Sequence, residues 1–195
     1  MRRSLHTPID GDAHALCVRA MEAPPQEQLF LAEQVRWLND ASVVPIVCAW
    51  MRAHGAMLPG TVRYAWLLTM RMIGGHGLCT WEGGVVRIED VPRCMEEHTE
   101  AVQDVARRVC GVMETRDAVL ASFVVPTWSV FVQHAYGTRA MEDVREDTIA
   151  VWAAAVHVVV MRMLYAQCGV AAVCALYGAI DVEQVELAID AMRAL

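Results

Sequence analysis

Apolar positions recur at helical spacing in one segment after another of this chain, and no stretch alternates with period two or repeats internally. The clearest core element is Val62 to Gly75, an almost uninterrupted apolar run; Pro59-Gly60 punctuates its start, Thr61 is placed to cap it and Gly74-Gly75 stops it. Before it, Gln26 to Leu38 suits a short helix broken at Asn39-Asp40. Ser42 is placed to cap a helix running to His54, with Pro45 in the first turn and Gly55 as the stop. After it, Gly74 to Gly84 reads as a loop and Val85 to Ile88 as a strand-like linker.

Asp90 is expected to cap the most amphipathic helix, with Met95, Val102, Val105, Ala106, Val109 and Met113 on one face. Ala118 to Val125 is a short apolar piece stopped by Pro126, and Trp128 to Tyr136 is another, stopped by Gly137. Thr148 to Ile180 is a long apolar tract. Asp181 opens a last helix with Val182, Val185, Ile189, Met192 and Leu195 on one side. These elements predict an all-α fold, a helical bundle around a buried central helix.

Length adds the domain count: 195 residues are read as one bundle domain over residues 26–195 behind a weakly structured leader, residues 1–25, with a helical turn around Ala13 to Met21. A net charge of -7 and the lack of any cluster of cations exclude a nucleic-acid partner. All 16 basic residues are arginine, a bias that resembles the coding of GC-rich large DNA viruses. Seven widely spaced cysteines, an odd number set in apolar stretches, predict reduced thiols and a cytoplasmic compartment. At 56% apolar residues the chain is rich in hydrophobes, and residues 148–180 are expected to be buried or membrane-associated.

Catalytic chemistry has little to stand on. There is no phosphate-binding glycine loop, no nucleophile elbow and no zinc-protease motif, so a non-enzymatic protein without a cofactor is expected. One alternative is a zinc-stabilised helical domain, because His76, Cys79, Cys94 and His98 form two closely spaced His/Cys pairs.

Two stretches together resemble the Bcl-2 family of apoptosis regulators. Val62-Arg63-Tyr64-Ala65-Trp66-Leu67-Leu68 through Ile73-Gly74-Gly75 follows the spacing of that family's first homology region, which leads into its central helix. Trp128-Ser-Val-Phe131-Val132 through Tyr136-Gly137 follows its second with one extra residue. The resemblance implies a surface groove that receives the amphipathic death-agonist helix of a host pro-apoptotic partner. Carried over by position, the groove edge is Val62, Arg63, Tyr64, Ala65, Trp66 and Leu67, with Trp128 and Phe131 packing beneath and Leu68 to Ile73 buried. Trp66 stands where the family has the arginine that pairs with the partner's aspartate, and Arg63, one turn earlier, is the candidate replacement.

The implied location is cytoplasmic, at the mitochondrial outer membrane, with a homodimer through an exposed helix face left open. Poxviral relatives of the family that dock on innate-signalling adaptors or kinases through helix faces supply the alternative function.

Overall fold

A computed structural model of the chain describes residues 12–164, 168–178 and 180–194. It is 73% helix and 4% strand, which makes the all-α expectation correct at the level of class. The chain divides into two compact units, Met1–Val91 and Pro92–Leu195, where the sequence had suggested a single bundle over residues 26–195.

The N-terminal unit is built from α1 (Ala13–Glu22), α2 (Pro25–Leu38), α3 (Val44–His54) and α4 (Gly60–Met72). The expected leader is thus largely helical from Ala13 onward, and its first eleven residues lie outside the described residues. Asp12 starts α1 by accepting a hydrogen bond from the His14 N–H at 2.9 Å. Leu16, Cys17 and Ala20 then pack one apolar stripe of α1 on α2. The matching stripe on α2, Leu31, Ala32 and Val35, is 1% exposed at each position, which defines the centre of this core.

α3 is entered differently from the expectation. Asp40, not Ser42, supplies the cap: its carboxylate accepts the Ser42 N–H at 2.9 Å and opens a single 3-10 turn, Ala41–Val43, ahead of Pro45 in the first turn of α3.

The glycine-rich stretch after α4 holds a β-hairpin that the sequence did not announce. β1 (Leu78–Trp81) pairs antiparallel with β2 (Gly84–Arg87), Cys79 opposite Val86 and Trp81 opposite Gly84. Cys79, Trp81 and Val86 turn inward while Leu78 and Val85 are exposed, so the period-two signal exists over four residues only. Gly83, at φ 86°, makes the tight reversal. The close approach of Gly55 to this hairpin depends on its missing side chain, because a Cβ there would sit 2.7 Å from the Trp81 Cβ.

The C-terminal unit contains α5 (Glu100–Glu114), α6 (Ala118–Ala121), α7 (Val124–Ala135), α8 (Arg139–Glu142), α9 (Ile149–Leu164), α10 (Val170–Cys174) and α11 (Val182–Arg193). α5 begins ten residues after Asp90, since a 3-10 turn at Met95–Glu97 intervenes; its buried face is the predicted Val102, Val105, Ala106, Val109 and Met113. Pro126 does not stop a helix but lies in the first turn of α7, where its lack of an N–H is harmless. Asp181 caps α11 as expected, accepting the Glu183 N–H at 2.9 Å.

α9 is the buried helix of this unit. Val151 to Val158 are all buried in succession, covered by α5, α7, α10 and α11. A helix apolar on every side needs such cover. The expected tract at 148–180 is therefore core over α9, and its residues 165–167 and 179 lie outside the described residues. Among the described residues one segment, Ala118–Ala135, is long and apolar enough to cross a membrane; it is 39% buried and supplies Trp128, Phe131 and Val132 to this core.

Trp128 stacks on Phe131 at 5.1 Å between centroids, and Trp152 of α9 lies 5.0 Å from Phe131. Each indole N–H finds a carbonyl, Trp128 that of Val102 at 2.8 Å and Trp152 that of Asp143 at 3.1 Å.

The polar group inside α9 is His157, 5% exposed, whose Nδ1 is hydrogen-bonded to the Tyr177 hydroxyl at 2.8 Å. Burial, helped by Arg116, holds its pKa below the ordinary 6.5, and burial likewise lowers His98 against the opposing charge of Glu97. The unfolded chain therefore takes up protons first as pH falls. Folding stability is intact above pH 6.5 and decreases as pH drops from there toward the native pKa values. Urea unfolding measured at stepped pH is expected to show this loss beginning near 6.5, above the range in which ordinary carboxylates titrate, and a curve flat until the carboxylate range would disprove it.

Candidate functional site

The residues expected to form a groove edge lie on the first two turns of α4, and the structure buries most of them. Trp66 and Leu67 are fully enclosed, Val62 is 1% exposed and Tyr64 7%. Only Ala65 is half-exposed. Trp128 and Phe131 belong to the C-terminal unit and are spent in its aromatic cluster. Seven of the eight positions are thus buried within one unit or the other, and Ala65 is the exception.

Trp66 is held in place by chemistry as well as packing. Its indole N–H donates to the Gln28 side chain at 3.4 Å, and Gln28 in turn donates to the Ala23 carbonyl at 2.8 Å, which ties α4 to the start of α2. The Trp50 ring meets it edge-on at 5.9 Å. One turn further, the Thr69 hydroxyl donates to the Ala32 carbonyl at 3.1 Å, so that α2 and α4 are joined at two levels.

Arg63 is not a surface charge awaiting a partner. It is 8% exposed, and its guanidinium donates to the carbonyls of Gly55 and Leu58 at 3.1 and 2.9 Å while lying over the Trp81 ring at 5.6 Å. These are carbonyls released where α3 ends and unwinds into a 3-10 turn, so the cation satisfies a helix terminus from within the fold. Burial pulls its pKa down, yet an arginine at this site stays charged.

The opposite face of α4 is the accessible one. Thr61, Ala65 and Leu68 are half-exposed and Met72 is 45% exposed, a stripe at i, i+4, i+7 and i+11. The expectation is met only in part: the structure buries Val62 to Leu67 apart from Ala65, and of Leu68 to Ile73 it buries Thr69, Met70 and Ile73 while leaving Leu68 half-exposed and Met72 exposed. Each unit also has an apolar cleft. That of the N-terminal unit has a volume near 610 Å³ and is lined by Val18, Met21, Trp50, Met57, Leu58 and the polar Glu22, Gln28 and His54. That of the C-terminal unit, about 430 Å³, runs along α11 beside Trp152 and Leu187 under the charged Asp143, Arg145 and Asp147.

The alternative zinc ligands are not brought together within either unit. His76 is exposed before the hairpin, Cys79 is fully buried in it, Cys94 is exposed, and His98 packs edge-on against Tyr136 at 6.0 Å. Cys79 instead lies on β1, which packs on α3, the helix that carries Cys48. Interaction with the Cys79 thiol, with Arg52 assisting against the cost of burial, lowers Cys48 to about 7; the same interaction and burial push Cys79 up. Among the described residues no group of three or more His, Cys, Asp or Glu side chains is placed to hold a metal ion. All seven cysteines are free thiols, as the sequence predicted.

The role of Arg63 is open to test by stability rather than binding. Arg63→Met is expected to lower the unfolding free energy by about 1–3 kcal/mol, and Arg63→Glu, which sets a carboxylate against two carbonyls, by about 3 kcal/mol or more. Urea denaturation followed by tryptophan fluorescence measures both, and an unchanged midpoint for Arg63→Glu would contradict the buried geometry. No protein-family model matches this chain, nor does any curated protein or solved structure.

Proposed function

We propose that the protein is a non-enzymatic helical interaction protein, a viral inhibitor of apoptosis of Bcl-2-like kind that binds the amphipathic death-agonist helix of a host pro-apoptotic partner. The observation that carries this reading is the accessible stripe of α4, Thr61, Ala65, Leu68 and Met72, the last three of which lie within the stretch that resembles the family's first homology region. A helix partner seats its apolar residues at i, i+3 or i+4, and i+7 against such a stripe, and the small Ala65 lets the two backbones approach closely. The second stretch that carries the resemblance is also helical, as α7. The fold departs from the family pattern after Gly75, where the chain enters the hairpin rather than a central helix.

The location implied is cytoplasmic, at the mitochondrial outer membrane where such partners act. The second reading, docking on an innate-signalling adaptor or kinase, is favoured by a different surface: Phe30 and Trp37 on α2, 64% and 68% exposed and two turns apart on one face.

Calorimetric titration of the full chain with a panel of death-agonist peptides separates the two. Submicromolar binding is expected, weakened at least about tenfold by Leu68→Glu, since a charge buried at a helix interface costs more than the 1.4 kcal/mol equivalent to that factor. Phe30→Glu/Trp37→Glu is expected to leave it unchanged. Silence across the panel would remove the apoptotic reading, and loss of binding only in the Phe30/Trp37 variant would move the site to α2.

A further inference from the structure

The cleft of the C-terminal unit has a floor and a rim of opposite character. Its floor is Val151 and Trp152 of α9 with Ala188 and Ala191 of α11, and Leu187 stands at its edge, 65% exposed. Leu187 is a large apolar side chain that α11 leaves in solvent while Val185, Ala188 and Ile189 face the core. The opposite wall is the turn that leads into α9, and hydrogen bonds fix its shape. The Asp143 carbonyl accepts both the Thr148 hydroxyl at 2.6 Å and the Trp152 indole N–H at 3.1 Å, and the Arg145 N–H donates to the Thr148 oxygen at 2.9 Å. The cleft, about 430 Å³, is thus formed by the chain itself before anything binds, which removes part of the ordering cost of binding.

The rim is acidic. Residues 139–147 and 181–190 each carry four carboxylates, against Arg139 and Arg145 in the first stretch and no cation in the second. Arg145 is already engaged, since its guanidinium donates to both Asp147 oxygens at 3.2 and 3.3 Å. Asp190 has Arg193 at 3.7 Å. Asp143 on one wall, and Glu183 one turn before Leu187 on the other, have no cation against them among the described residues.

An occupant of this cleft must therefore bring apolar side chains to the floor and positive charge to the rim. An acidic partner meets unpaired carboxylates on both sides, and a second copy of this chain, at net charge -7 and with the same rim, is repelled in the same way. Ala188 and Ala191 favour a helix as the carrier: their small side chains leave a channel beside the Leu187 ridge that a helix can approach closely. We propose that the cleft between α11 and the turn at residues 143–148 receives a basic amphipathic helix of a partner protein. An apolar residue of that helix packs against Leu187 over Trp152, and its lysines or arginines pair with Asp143 and Glu183. The site lies within the C-terminal unit and does not depend on the reading of α4.

The test titrates the full chain with two labelled synthetic helices of about 18 residues, long enough to hold helical structure, followed by fluorescence anisotropy. Both carry leucines at i, i+3, i+4 and i+7, and they differ only in having lysine or glutamate elsewhere. Micromolar binding of the lysine helix and none of the glutamate helix is expected. Leu187→Ser is expected to weaken it at least about tenfold. Asp143→Asn/Glu183→Gln is expected to weaken it about fivefold or more and to flatten its salt dependence. Glu27→Gln/Glu82→Gln, which removes two exposed charges from the other unit, and Leu68→Glu on α4 are expected to leave it unchanged. All these side chains are exposed or half-exposed, so folding is not at risk. Equal binding of the two helices, or an equal loss in the Glu27/Glu82 variant, reduces the effect to net charge and overturns the site. Silence of the lysine helix, or its loss in Leu68→Glu, overturns it too, as does a dimer in sedimentation that Leu187→Ser abolishes, which gives the cleft to a second copy.

Discussion

Burial of the Trp66 side of α4 is the constraint on which the N-terminal unit depends. The indole and Leu67 have no exposed surface at all, and the three polar groups on that side of the helix, the Trp66 N–H, the Thr69 hydroxyl and the Arg63 guanidinium, are each spent on a neighbour. Burying a tryptophan or leucine contributes roughly 2–3 kcal/mol only while its neighbours stay closed around it. Rotating α4 to offer this face to a partner would lose that packing and strand the polar groups. A partner helix of the kind proposed would therefore have to meet the other face, by apolar packing around Ala65 and Leu68 in place of a charge pair at Arg63.

The C-terminal unit answers a different problem. α9 carries eight successive buried residues and cannot be covered by one neighbour, so four helices surround it. Its interior polarity centres on His157, whose Nδ1 is hydrogen-bonded to the Tyr177 hydroxyl. Stacked aromatics from α7 and α9 fill the rest, and Trp128 and Phe131 are buried in that packing.

How much of this was legible in the residues depended on contrast. The buried face of α5 from Val102 to Met113 was read correctly, though not its start at Asp90 or the place of Met95, because its buried valines are interleaved with charges and the 3.6 period has something to stand against. α4 was recognised as a core helix but assigned the wrong open face, since Leu67 and Leu68 are chemically identical and only tertiary packing makes one enclosed and the other half-exposed. The hairpin was missed because four-residue strands give one or two alternations, and Glu82-Gly83 is not the strongest of hairpin turns. That omission had a consequence for chemistry: without β1, Cys79 stayed in a loop beside His76, and its full burial in a hairpin that packs on α3 had no local signature. The Asp40 cap was passed over for a similar reason, since Asp40 and Ser42 both satisfy the capping preference and the 3-10 turn between them decides.

The central claim is that α4 receives a partner helix on its Thr61, Ala65, Leu68 and Met72 side while the Trp66 side stays closed. Hydrogen–deuterium exchange of the full chain, with and without a bound death-agonist peptide, tests it most directly. Slowed exchange concentrated on residues 60–73 is predicted, with the aromatic core around Trp128 unchanged. A bound peptide that leaves residues 60–73 at their free rate and protects α2 or α11 instead would contradict it.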